Sequence, residues 1–159
     1  MRGSIDEIIK GLEDYKRSLK SKADALVKAL AEAGCEAVSI TYGAWPYKGS
    51  REAEVTVEQR GPAQYAIVAS GETVLILEFG AGVSYSAIQH PLAEEMGYGP
   101  GTYPGQVHAM DPRGWYLPKS AAGRNGVHTY GNAPSMAMYN TGKSLREVVQ
   151  QVAKEVFGG

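Results

Sequence analysis

Two short apolar runs, Gln64-Tyr65-Ala66-Ile67-Val68-Ala69-Ser70 and Thr73-Val74-Leu75-Ile76-Leu77-Glu78-Phe79, stand on either side of Gly71-Glu72 and lead straight into Gly80. Runs rich in β-branched and aliphatic residues, joined by a tight glycine-bearing turn, read as a hairpin. Gln64–Phe79 is therefore predicted to bury one sheet face while the Gly-rich exit loop after it stays accessible.

The flanking segments supply parts for that sheet. Ala37–Tyr42 places Val38, Ile40 and Tyr42 on one side of a strand, and Ala53–Arg60 does the same with Val55 and Val57. Gly61-Pro62 is predicted to turn the chain into the hairpin. The sum is a small antiparallel sheet of four strands in meander order. Upstream, Ser4 and Glu7 have capping-box spacing. Ile5, Ile8, Leu12, Tyr15, Leu19, Ala23, Leu26 and Leu30 then follow in helical steps, and Gly34 is predicted to end the helix as a left-handed cap. Downstream, Asn132-Ala133-Pro134 is read as a helix cap with the proline in the first turn, opening a second amphipathic run through Leu145, Val148, Val149, Val152 and Val156, a stripe expected to close the core against the sheet. The expected class is α+β: one domain over 1–159, in which an N-terminal and a C-terminal helix pack the sheet.

Residues 80–131 have a different texture. They hold half of the 20 glycines and, with Pro134, six of the eight prolines. Such a composition leaves room for little regular structure beyond a short helix near Pro91–Met96. A long segment of this kind in a small domain is functional or disordered. Tyr85, Tyr98, Tyr103, Trp115, Tyr116 and Tyr130 are too heavy an aromatic load for a solvated linker, so the expectation is an arm that covers a surface of its own domain or of a neighbour. The loop Gly43–Ser50 carries Trp45 and Tyr47, and it reads equally as an exposed binding tip or as a loop folded back on its own sheet.

Charge and residue types narrow the chemistry. A formal charge of −1 argues against general attraction to nucleic acid. Cys35 is the only cysteine, so no internal disulfide can form. No apolar run approaches the roughly 20 residues of a membrane span. His90, His108 and His128 lie too far apart for a compact metal pattern, and the glycines at 97, 99, 101 and 105 lack the Gly-Lys-Ser/Thr of a phosphate loop. No metal and no cofactor is expected. Glu78 shares a predicted strand face with Val74 and Ile76. A desolvated carboxylate in that place suits either acid–base chemistry or a structural role, accepting hydrogen bonds from the Gly80–Gly82 turn. An enzyme built on it needs a pocket where Glu78 meets His90, His108 or His128. Met136 and Met138 read as an adaptable contact surface or as packing at the helix entry.

Several phrases together resemble a family. Leu77-Glu78-Phe79-Gly80-Ala81-Gly82, Gly114-Trp115-Tyr116, Thr129-Tyr130-Gly131 with Pro134-Ser135-Met136, and Met138-Tyr139-Asn140-Thr141 ahead of an amphipathic helix are similar to small neck and tail-completion proteins of tailed bacteriophages, prophages and phage-tail-like particles. The resemblance implies a non-catalytic virion subunit of the tail-terminator type. Its copies would form a ring, expected to be hexameric, that caps the tail tube and joins it to the neck or capsid connector. The partners implied are the chain itself, the tail tube protein, connector proteins and, in contractile tails, the sheath. No membrane is involved, and DNA would at most pass through the lumen. Stopper and adaptor-proximal stations in the neck, or a cytosolic protein-binding module, are the alternatives. Glu78, Phe79 and Gly80 form the structural motif in this reading, and Trp45, Tyr47, Tyr98, Tyr103, Trp115 and Tyr116 are the expected inter-subunit contacts.

Overall fold

The computed structural model describes residues 2–45, 53–83, 87–98, 108, 111–117 and 127–157. In order they form helix α1 (Arg2–Ala44), strands β1 (Glu54–Gly61) and β2 (Gln64–Ser70), helix α2 (Val74–Phe79), strands β3 (Trp115–Leu117) and β4 (Val127–Thr129), and helix α3 (Ala137–Phe157). The chain is α+β, as expected, but its described strands form two separate two-stranded sheets, β1–β2 and β3–β4, in place of one four-stranded meander.

Three changes account for the difference. First, α1 does not stop at Gly34 but runs on through Ala44, absorbing the segment expected as the first strand. Val38 and Tyr42 are buried and Ile40 is exposed, the pattern of a helix face with an i, i+4 pair inward. Gly34 is not a cap. It sits where α1 crosses β2 and α3, and a Cβ there would lie 2.6 Å from Ile67 Cδ1 and 2.9 Å from Leu145 Cδ1. The glycine lets three elements approach closely, and that contact keeps the helix going.

Second, β2 pairs with β1 through the Gly61-Pro62 turn and not with the run after Gly71. The register runs from Glu54 opposite Ser70 to Gln59 opposite Tyr65, with an irregularity before Gly61. Asp24 of α1 ties this turn down: its carboxylate accepts from the Ala63 N–H at 2.7 Å and the Tyr65 hydroxyl at 3.2 Å. Ala63 itself is left-handed, with φ 52. Third, the run Val74–Phe79 is a helix, not the second arm of a hairpin. Its last turn is completed from far along the chain, as described below.

The described parts of 80–131 are more regular than an arm. Pro91–Tyr98 makes a helical turn closed by a Schellman pattern, with Gly97 N–H to Glu94 O and Tyr98 N–H to Ala93 O. Trp115–Leu117 pairs with Val127–Thr129.

The core is small. Val38, Tyr42, Leu77 and Ala137 form its centre, with Trp45, Ala53, Val55, Ala69 and Met138 packed around them. α3 packs on α1 more than on the sheet, and Val148 and Val149 of its stripe remain exposed. Only the second half of α1 takes part in this core. From Ile5 to Leu19 every apolar residue of its stripe is exposed, with Ile8 at 61%, Leu12 at 63% and Tyr15 at 67%. At a rise of about 1.5 Å per residue, that free half projects roughly 25 Å from the body.

Candidate functional site

Residues 76–82 and 131–139 converge on one junction. Ala81 and Asn132 exchange backbone hydrogen bonds at 2.9 Å in each direction, an isolated antiparallel bridge that draws Gly80–Gly82 onto Gly131–Pro134. Gly131 is at φ 95, and a Cβ there would run into the Ala81 carbonyl. Only a glycine admits this approach. The bridge then sets the start of α3 directly beside the end of α2.

The two helix ends complete each other. A helix leaves its last carbonyls without intrahelical partners. Here the Ile76 carbonyl accepts from Asn132 Nδ2 at 3.0 Å, Leu77 O from the Ser135 N–H at 2.8 Å, and Glu78 O from the Met136 N–H at 3.3 Å. The first N–H groups of α3 need acceptors in turn, and Met136, the residue before the helix, has no side chain to offer. Glu78 supplies it. Its Oε2 accepts from the Met138 N–H and its Oε1 from the Tyr139 N–H, each at 3.0 Å. The carboxylate therefore does from 60 residues away what an N-cap side chain usually does locally. It also sets a negative charge at the positive end of the helix dipole.

Two more donors fill the remaining positions. The Tyr42 hydroxyl donates to Oε2 at 2.9 Å, and His90 Nε2 lies 3.2 Å from Oε1. His90 Nδ1 accepts the Leu92 N–H at 3.1 Å, so that nitrogen carries no proton. The imidazole is thus the neutral tautomer with its hydrogen on Nε2, donating to Glu78, and the contact is a hydrogen bond rather than an ion pair. Glu78 and His90 are 5% and 4% exposed. Burial, and next the Glu78 charge and hydrogen bond, push the Tyr42 hydroxyl well above its ordinary range, so it stays a donor. Phe79 closes the site, with its ring 4.3 Å from His90 and 4.4 Å from Tyr98 between centroids.

The pair Glu78–His90 is the meeting that an enzymatic reading requires. A groove of about 540 Å³ lies over it, lined by Tyr42, Phe79, Leu92, Met96, Tyr139 and Arg146 among others. Its chemistry is nonetheless occupied. A carboxylate has about four lone-pair positions, and four donors already hold them. A proton taken up by Glu78 would break one of these bonds inside a buried site. Two of the four bonds tie α2 to α3 through this carboxylate, and its backbone donors belong to α3 and not to the Gly80–Gly82 turn. Among the described residues no cluster of His, Cys, Asp and Glu could hold a metal ion, and no helix is long and apolar enough to cross a membrane.

The chain matches no family model, no curated protein and no solved structure. Geometry and the resemblance of its phrases therefore carry the functional reading.

The aromatic residues singled out in the sequence fall into three groups. Trp45 is half-buried against the core of its own chain. Tyr98 is half-buried on Phe79. Trp115 and Tyr116 lie on β3, where Trp115 is half-buried while Tyr116 is 68% exposed. Tyr116 stands edge-on to His128, and His128 edge-on to Tyr130, giving an outward row of three rings. Tyr47 and Tyr103 lie outside the described residues. Sequence reasoning missed Tyr42 as a partner of Glu78 and Asn132 as the link between the helices, whereas His90 was one of the three histidines it set against Glu78. The Val38–Tyr42 spacing of four residues carried the only local signal for Tyr42.

Proposed function

We propose that the chain is a structural subunit of a phage-type head–tail junction, a tail-terminator or tail-completion protein whose copies form a ring on the end of the tail tube. One observation carries the reading: a helix of 43 residues holds the apolar stripe of its first half clear of its own core. Large exposed apolar patches mark surfaces that other proteins cover. Residues from Ile5 to Leu19 have nothing to gain from that arrangement in an isolated monomer. The outward ring row Tyr116, His128 and Tyr130 adds a second surface of the kind that anchors interfaces.

Two features support an assembly role over a chemical one. The buried carboxylate spends its hydrogen bonds on Tyr42, His90 and the start of α3, and the imidazole spends its own on Glu78 and the Leu92 N–H, which leaves neither free for a substrate. Three of the phrases that resemble phage neck proteins meet at this same junction, while Trp115 and Tyr116 lie apart on β3. In a ring each subunit presents one patch to a different patch on the next, and a small body with surfaces left uncovered on α1, α3 and β3 suits that use.

Electron microscopy of tail particles made with and without the chain tests the proposal. Tails of irregular excess length in its absence, with the protein present on normal tails, is the expected result. Particles that are complete without it, and from which it is absent, would overturn the reading.

A further inference from the structure

The groove over Glu78 and His90, about 540 Å³ in volume, has a floor and two walls of different chemistry. Its floor is chemically spent: Tyr42, Glu78 and His90 use their polar atoms on one another and on backbone N–H groups. One wall is apolar and open, made by Leu75 of α2 and by Leu92 and Met96 of the turn after His90, all three exposed. The other wall is α3, and it has a notch. A Cβ on Gly142 would meet nothing within 4 Å, although alanine is the better residue inside a helix. The notch lets an occupant lie against the helix backbone. Lys143 and Arg146 follow on the same wall, both exposed and, among the described residues, without an ion pair. Glu147 of α3, and Glu94 and Glu95 beside Met96, do not line the groove and pair with neither cation.

We propose that this groove binds an amphipathic carboxylate, a straight acyl chain with a free carboxylate head. The chain lies on Leu75, Leu92 and Met96 and crosses the Gly142 notch, and the head faces Lys143 and Arg146. A neutral ligand would leave both cations unmatched, and a cationic one would be repelled. The spent floor suits an apolar body, which brings no hydrogen-bonding group of its own. Glu78 is the only acid in the lining, and it sits at the other end. Arg146 lies eight residues past the Met138 N–H that Glu78 caps, about 12 Å along the helix axis. That exceeds the screening length of about 8 Å at physiological salt, so the head is drawn to the two cations with little opposition from Glu78. The volume falls within the roughly 300–1,000 Å³ of small-molecule sites, and Met96 and Met138 are side chains that adapt to a flexible chain. The inference goes beyond the assembly role and does not depend on it.

Titration calorimetry of the full chain tests this with sodium decanoate below its micelle-forming concentration, set against decanol and decyltrimethylammonium. Decanoate should bind at one site per chain and about tenfold more tightly than decanol, the scale of two exposed ion pairs, while decyltrimethylammonium should not bind. Replacing Lys143→Gln and Arg146→Gln together should weaken decanoate by about the same tenfold factor and leave decanol unchanged. Both residues are exposed, so the core stays intact. Gly142→Leu, which fills the notch, should abolish binding of both ligands with an unchanged far-UV spectrum. Equal affinity for decanoate and decanol, or a double variant that binds decanoate as the wild type does, overturns the anionic head. A Gly142→Leu chain that still binds overturns the location. A wild type that takes up no decanoate overturns the proposal outright, and a mass of two or more chains by light scattering in that case assigns the groove to a second copy instead.

Discussion

Replacing Glu78 with Gln should unfold the protein at a distinctly lower denaturant concentration, because the carboxamide keeps the shape of the side chain but turns one of its two acceptor oxygens into a donor and removes the charge. One end of the amide becomes an NH₂ group, which must face either the Tyr139 N–H and His90 Nε2–H or the Met138 N–H and Tyr42 hydroxyl. The His90 tautomer is held by Leu92, so neither donor of the first pair can turn away. The Tyr42 hydroxyl can rotate and accept, so the NH₂ will take that side and leave the Met138 N–H without a partner. An orphaned buried donor costs about 1–3 kcal/mol, and losing a charge at a helix N-terminus adds about 0.3–1 kcal/mol. With the remaining bonds weakened from charge-assisted to neutral, a loss of roughly 3 kcal/mol is expected. For a domain of this size that corresponds to a Tm lower by about 6–12 °C. Urea unfolding followed by circular dichroism should show a shifted midpoint at constant slope, with faster amide exchange at Met138 and Tyr139. A variant within about 0.5 kcal/mol of wild type, the range of ordinary surface changes, would refute the view that this carboxylate holds α2 to α3.

Other substitutions separate the remaining contacts. Tyr42 has its hydroxyl raised above its ordinary range by burial and by Glu78, so the folded state keeps a proton that the unfolded chain releases near pH 10. The stability it contributes is full below about pH 10 and is lost as pH rises beyond it. Tyr42→Phe should therefore lower stability at pH 7 and flatten the alkaline fall, measured by urea unfolding at both ends of that range. Gly34→Ala and Gly11→Ala should have opposite signs: the first forces a methyl against Ile67 and Leu145, costing about 1–3 kcal/mol of overpacking, while the second meets nothing within 4 Å and gains about 1 kcal/mol of helix propensity. Asp24→Ala should loosen the Gly61-Pro62 turn by removing the acceptor of the Ala63 N–H, with the exchange protection of the Ala63 amide falling first in a deuterium-exchange experiment.

What the sequence settled by itself were the features written in local pattern. The long apolar stripe of α1, the β1 strand, the Gly61-Pro62 turn and the amphipathic run of α3 follow from spacing over many residues and are present, whereas the starts differ: α1 begins at Arg2 with Ser4 inside it, and α3 begins at Ala137, beyond Asn132 and Pro134. Short runs were ambiguous for a physical reason. Val38 and Tyr42 lie four apart, a separation that is even, and so on one strand face, and also one helical turn, and so on one helix face. Only the contact of Gly34 with Ile67 and Leu145 decided that the helix continues. Val74–Phe79 is too short for its period to choose between strand and helix. Its fate was decided by Asn132, Ser135 and Met136, which take up its terminal carbonyls, and by its own Glu78, which caps α3 in return. Exchange of that kind depends on groups more than fifty residues apart, and no local pattern encodes it. Likewise the stripe from Ile5 to Leu19 announced a helix but not whether its own core would cover it. That was decided by where the sheet and α3 come to rest along α1.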